Sequence, residues 1–227
     1  MIKQWLKRAY LRLLYLFPHN NVYEFHHVSD HPAVDLSPRK IDTQRFYDFV
    51  ERHGPYLSLA DILSRKRFDR SAAITFDDGL EDVYTVAYPY LKKKGIPFTA
   101  FVLSAKIGQP GYITREQLLE MAADPLVTIG SHGTDHTKLS QADEKKQRVE
   151  LFESKKQLEA ITGLPCTYFA YPFGLYNDTT LRLIAEAGYA RACAVKGRPL
   201  TARSVGDVYT IPRLSIENGT LRFYGGS

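Results

Sequence analysis

Along most of this chain, apolar runs rich in β-branched and aromatic residues alternate with stretches that carry the 3.6-residue helical period. The strand-like runs are Val22–Val28, Ala72–Phe76, Phe98–Leu103, Val127–Gly130, Thr167–Tyr171 and Ala190–Val195. Helical runs with clear start and stop signals lie between them. Asp42 precedes the first, and Gly54 follows it. The next runs from Glu81 to Lys94 and stops at Gly95 and Pro97. Thr114 opens another as an N-cap, with Glu116 and Gln117 close behind. A long run from Asp143 to Ile161 is closed by Gly163 and Pro165, and Asn177 caps a final one that reaches Ala187 and ends at Gly188.

This alternation predicts βα units and a largely parallel sheet. Six or seven units in about 200 residues are too few for a complete eight-fold barrel. The expected fold is α/β, a single domain built as a distorted or incomplete (β/α)7-type barrel over residues 21–227. In such folds the active site forms at the carboxyl ends of the strands, which tells where to look for chemistry.

Residues 1–20 read differently. Lys3, Lys7, Arg8 and Arg12 are mixed with Ile2, Trp5, Leu6, Leu13, Leu14, Leu16 and Phe17, and Pro18 stops the run. The segment is too short and too charged to span a bilayer. It also lacks the uncharged core and small-residue cleavage site of a signal peptide. Two readings fit it: a helix in the membrane interface, making peripheral contact through residues 1–17, and an amphipathic helix packed on its own domain. The expected location is cytoplasmic or peripheral at a bacterial inner membrane, not secreted.

Composition narrows the picture a little. With 44% hydrophobic and 24% charged residues among 227, the chain is an ordinary globular protein. Its formal charge of +5 is mild and no Lys/Arg block stands out, so no nucleic-acid partner is expected. Cys166 and Cys193 form no CxxC pair and read as inert, partly buried thiols. A metal site here must therefore use histidine and carboxylate.

Such residues cluster where strands end. Asp77-Asp78-Gly79 follows Ala72–Phe76; adjacent carboxylates repel, and Gly79 permits the sharp turn that lets both converge above the sheet. His132 and His136 follow Val127–Gly130 and are four residues apart, a spacing that places both imidazoles on one face of a helical turn. With a carboxylate from a neighbouring strand end they compose a two-His, one-carboxylate site with positions open for water and substrate. Tyr171-Pro172-Phe173-Gly174 forms a turn expected to expose a backbone N–H and, with Tyr176, an aromatic rim. Phe25-His26-His27-Val28 ends the first strand.

Together these residues resemble the polysaccharide deacetylase family, carbohydrate esterases with a NodB-like homology domain. Thr75-Phe76-Asp77-Asp78-Gly79 matches the family's TFDDG motif, His132 to His136 its His-x3-His motif, and Tyr171 to Gly174 its Pro-aromatic-Gly motif. Three departures stand out. Gly133 replaces the usual Ser or Thr after the first histidine. Ala170 stands where the family has an arginine, for which Arg213 is the candidate substitute. No histidine follows His136, although the family takes its general acid from a C-terminal Leu-x-His. The circularly permuted poly-N-acetylglucosamine deacetylase branch carries that histidine in an N-terminal strand, and alignment on Val28 selects His26, with His27 as the alternative.

The resemblance implies a metal-dependent hydrolase that removes acetyl groups, N-acetyl before O-acetyl, from a glycan such as a cell-surface polysaccharide or its precursor. Asp78, His132 and His136 would hold a divalent ion, with Zn²⁺ the first choice and Co²⁺ or Ni²⁺ the alternatives. Asp77 would act as base and His26 as acid. Phe173, Tyr171, Pro172 and Arg213 would serve the oxyanion and the substrate. Two other readings stay open: an inactive sugar-binding module of the same fold, and a metal-dependent amidase on a non-carbohydrate substrate.

Overall fold

A computed structural model describes residues 19–30, 39–65, 68–218 and 220–222. The amphipathic segment 1–17 lies outside them. No helix among the described residues is long and apolar enough to cross a membrane.

Seven parallel strands form the barrel: β1 (Asn21–Phe25), β4 (Ala72–Phe76), β5 (Phe98–Val102), β6 (Val127–Ser131), β7 (Tyr168–Ala170), β8 (Arg191–Val195) and β9 (Ile211–Glu217). They pair in that order, and β1 closes the ring on β9 through Tyr23↔Leu214 and Glu24↔Ser215. A short antiparallel strand, β10 (Thr220–Arg222), extends β9. The expected barrel is therefore present and closed. Its seams are uneven: β1 and β4 align over five residue pairs, whereas β6 meets β7 at Ser131↔Phe169 alone.

Several elements differ from the sequence expectation. The run Val22–Val28 is not one strand. It breaks at His26, after which β2 (His27–Val28) leaves the barrel to pair with β3 (Lys40–Ile41). The two longest helical runs each contain a π turn, Val83–Ala87 before the helix Tyr88–Lys94, and Val149–Glu153 between the helices Glu144–Arg148 and Ser154–Thr162. Strand β9, interrupted in sequence by Pro212 and Arg213, and the short helices Leu59–Ser64 and Ala202–Gly206 are not among the expected elements. Thr114 and Asn177 do cap their helices through reciprocal bonds with Gln117 and Thr180. Asp42 makes no side-chain cap. Cys166 and Cys193 are free and buried, and burial pushes both thiols up to about 12.

Strand alternation divides the core into two. Tyr23, Phe25, Ile74, Phe76, Phe98 and Leu214 belong to the large cluster that includes Phe46, Leu91 and Leu183 of the surrounding helices. Val22, Ala73, Phe101, Ala170, Cys193 and Ile211 form the second cluster, with Leu59, Ile62 and Leu63. Positions of the same parity carry Glu24, Thr75 and Arg213, all fully buried. Small neighbours such as Ala73, Ala170 and Cys193 leave room for the guanidinium, which lies 5.3 Å from the Phe101 ring centroid. Phe101 in turn presses on Gly130, where an added Cβ would stand 2.6 Å from Cδ1.

Two variants test this interior. Gly130→Ala should cost about 1–3 kcal/mol through overpacking against Phe101, measured by urea denaturation. Arg213→Met should cost more, about 3–5 kcal/mol, because it strands the buried carboxylate of Asp77 and leaves Glu24 with Arg39 alone. Equal and small losses in both would show that the interior is loosely packed.

Candidate active site

Each functional side chain follows a strand end, and the ladder holds it there. The residue just after the strand still bonds to the neighbouring strand: Asp77 N–H donates to Phe25 O (3.0 Å), His132 N–H to Val102 O (2.9 Å) and Tyr171 N–H to Cys193 O (3.0 Å). Beyond these anchors the backbone turns sharply. Asp78 has φ 72° and Gly79 has φ 72°, so the reversal begins at the carboxylate residue itself. His132 and His136 do not share a helical turn. They approach through an irregular loop with φ 91° at Gly133 and φ 68° at His136, which brings their ring centroids to 5.2 Å. Non-glycine residues in this region are strained, and such strain gathers at functional sites.

The result is a cavity of about 330 Å³ whose wall includes His26, Asp77, Asp78, His132, His136 and Phe173. In it, Asp78 Oδ1 lies 3.4 Å from His132 Nε2 and 3.5 Å from His136 Nε2. His132 Nδ1 is 2.8 Å from Ala170 O; a carbonyl only accepts, so Nδ1 carries the proton and Nε2 presents a lone pair. Asp78 Oδ1 is buried with no hydrogen-bond donor among the described residues. Burial, reinforced by Asp77 and Glu24, pushes Asp78 up to about 8. Burial also lowers His136 and brings His132 down to about 3. Acceptors facing one another without a donor are costly in isolation and suit a shared cation. Asp78, His132 and His136 therefore fit a divalent metal ion.

Glu24, His26 and Asp77 also lie close together, but their charge is already balanced. Arg213 donates to both Asp77 oxygens, Nη1 to Oδ1 at 2.6 Å and Nη2 to Oδ2 at 2.7 Å, and its Nη2 is 3.4 Å from Glu24 Oε2. Arg39 donates to Glu24 Oε1 at 2.8 Å. Burial alone would raise Asp77, yet Arg213 and the nearby histidines outweigh it and hold this carboxyl below the usual range. Two adjacent aspartates thus differ in kind. Asp77 is an ionised carboxylate clamped from beneath, and Asp78 is a carboxylate waiting for a counter-charge.

The two histidines of the first strand end also part company. His26 lines the cavity; His27 does not, and its Nδ1 sits 2.6 Å from Asp82 Oδ2. Arg39 Nη1 is 3.4 Å from His26 Nε2, and burial holds His26 well below its ordinary pKa. Arg213, expected among the substrate-binding residues, is fully buried beneath Asp77 and outside the cavity wall. Its guanidinium reaches Asp77 from β9. Pro172 is likewise buried and outside the wall. Tyr171 lines the cavity, yet it has no exposed surface and its hydroxyl donates to Tyr209 O. The aromatic rim is therefore narrower than expected: Phe173 is 41% exposed, at φ 60°, with its ring 4.3 Å from that of His136.

Sequence reading missed Arg39, Glu24 and Glu150. Glu24 could have been found as a charged residue at an inward position of a buried strand. Arg39 lies in an irregular segment, and only the fold brings it to His26.

Comparison with known proteins places this geometry. The sequence profile of the family described as "Polysaccharide deacetylase" matches residues 64–192, more than half of the chain. The match omits β1 with His26 and β9 with Arg213. YxkH of Bacillus subtilis is 34% identical over 155 residues, 68% of this chain and 54% of its own length, so the chain spans about half of that relative. A poly-beta-1,6-N-acetyl-D-glucosamine N-deacetylase of Staphylococcus aureus is 29% identical and covers 89% of this chain and 74% of its own. The structure of IcaB from Ammonifex degensii superposes with a TM-score of 0.75 at 25% identity, covering 88% of this chain and 92% of the other. The Streptococcus pyogenes deacetylase PplD, in complex with acetate, shares the fold with a TM-score of 0.74 at 24% identity, over 88% and 92%. The staphylococcal N-deacetylase and the IcaB structure support the circularly permuted poly-N-acetylglucosamine deacetylase branch. The chain belongs to the polysaccharide deacetylase family.

Proposed function

We propose that this protein removes N-acetyl groups from amino-sugar residues of a glycan, with a divalent cation, Zn²⁺ first, held by Asp78, His132 and His136. The observation that carries the reading is the convergence of both imidazoles on Asp78 Oδ1, a buried oxygen without a hydrogen-bond donor among the described residues, beside an aspartate held ionised by a buried arginine. When bound, the cation supplies a Lewis acid that polarises a carbonyl and acidifies water.

The chain's own residues account for the rest. Asp77, 3.8 Å from His132 Nε2, takes a proton from the water that attacks the acetyl carbon. Arg213 fixes both oxygens of Asp77, so the base keeps its position as its charge changes. The backbone N–H of Phe173, at the strained turn in the cavity wall, donates to the developing oxyanion; one such donor contributes about 3–4 kcal/mol. His26 protonates the sugar nitrogen as the C–N bond breaks, releasing acetate and the free amine.

The amide substrate is supported by the staphylococcal relative, named as an N-deacetylase of poly-β-1,6-N-acetyl-D-glucosamine. The exposed Phe173 ring at the cavity lip suits the apolar face of a sugar.

The first test is acetate release from a panel of N- and O-acetylated glycans, after chelation and after Zn²⁺ or Co²⁺ is returned. Release from N-acetylated members, lost on chelation and restored by the ion, is expected; release that ignores chelation would remove the cation from the reading. Asp78→Ala and His132→Ala should lose bound cation and turnover together. Asp77→Asn should keep the cation and lose about 10²–10⁴ of kcat; near wild-type turnover would dismiss it as the base. His26→Gln should lose at least about 10² in kcat, while His27→Gln stays close to wild type. The reverse ranking would move the acid to His27.

A further inference from the structure

The loop that carries both histidines has no regular structure of its own, so something outside it must set their separation. Two of its carbonyls are held from one side: Ser104 N–H donates to Gly133 O at 3.0 Å and Ala105 N–H to Thr134 O at 3.1 Å. On the other side stands one carboxylate, Glu150, which has no exposed surface. Its Oε2 accepts from Thr134 N–H at 2.7 Å and from Asp135 N–H at 3.3 Å. Its Oε1 accepts from Thr134 Oγ1 at 2.6 Å, and Lys146 Nζ lies 2.7 Å away. The Thr137 hydroxyl is 3.0 Å from Oε1 but only 2.6 Å from Asp135 Oδ1. Three donors from residues 134 and 135 thus end on a single side chain.

Glu150 reaches the loop from the π turn Val149–Glu153, a widened turn of the kind that recurs at functional sites. The approach is close enough to dictate Gly133, where a Cβ would stand 2.6 Å from Glu150 Oε2.

We propose that Glu150 is a positioning residue that sets cation affinity, by holding residues 133–137 in the one conformation that aims His132 Nε2 and His136 Nε2 at Asp78. The proposal rests on the reading of Asp78, His132 and His136 as a cation site. Glu150 touches neither cation nor substrate. Without it, buried N–H and O–H donors lose their acceptor, the loop relaxes and the two imidazoles drift apart.

The test is Zn²⁺ affinity of the metal-free full chain, by competition with a chromophoric chelator, alongside kcat at saturating Zn²⁺ and a thermal melt. Glu150→Gln keeps the shape but turns an NH₂ toward donors, and should weaken Zn²⁺ binding about 10-fold; Glu150→Ala should approach about 100-fold. Thr134→Val, which removes one donor and keeps the fold, should weaken it several-fold. At saturating Zn²⁺ the kcat of Glu150→Gln and Thr134→Val should stay within a few-fold of wild type. Leu158→Ala, a core truncation in the helix Ser154–Thr162, should lower the melting temperature and leave Zn²⁺ affinity unchanged. Wild-type affinity in both Glu150→Gln and Thr134→Val would overturn the proposal, as would a loss of kcat at saturating Zn²⁺ with unchanged affinity. A wild-type chain that binds no Zn²⁺ would overturn the cation site itself, and this proposal with it.

Discussion

The guanidinium of Arg213, without exposed surface and bonded through two nitrogens to Asp77, organises the charges at the carboxyl end of the barrel. A buried arginine is tolerable only with its counter-charges in place, and here Asp77 and Glu24 both supply them. The dependence runs the other way too. Asp77 and Asp78 are neighbours in sequence and both are buried, so their mutual repulsion would favour protonation of each. Arg213 assigns the negative charge to Asp77 and leaves Asp78 as the group in need of a cation. The different charge states of two adjacent aspartates follow from where a single positive charge is buried.

That arrangement is built from both ends of the chain. Arg213 comes from β9, and Glu24 and His26 come from β1 and the residue that follows it. The pairing of β1 with β9 brings them together at Glu24↔Ser215, two residues from Arg213. Closure of the barrel is therefore a requirement of the site as well as of the fold. The family match over residues 64–192 contains Asp77, Asp78, His132 and His136 and omits Glu24, His26 and Arg213.

The polar interior has a geometric reason. Small residues at Ala73, Ala170 and Cys193 line the inner face, and Phe101 offers its ring to the guanidinium. Into that space Arg213 enters from β9 to reach Asp77. Around His132 and His136 the same economy appears in the loop 132–137, whose polar backbone is satisfied by Glu150 and by the Ser104–Ala105 turn.

Much was legible before any coordinates. Strands with continuous apolar runs, helices with caps such as Thr114 and Asn177, and clusters at strand ends were all local patterns, because side-chain periodicity and capping depend on residues a few positions apart. The TFDDG and His-x3-His motifs named the groups that meet in the cavity. Only the tertiary structure decided that His26 enters the cavity while His27 turns to Asp82, that Arg213 lies beneath Asp77 and not against substrate, and that the two histidines converge through a loop instead of a helical turn. It also revealed Arg39, Glu24 and Glu150. Each of those facts depends on partners 13 to 189 residues away in sequence, or on a backbone reversal with positive φ, and neither leaves a periodic trace. Residue chemistry was written in the chain; charge assignment was made by burial and contact.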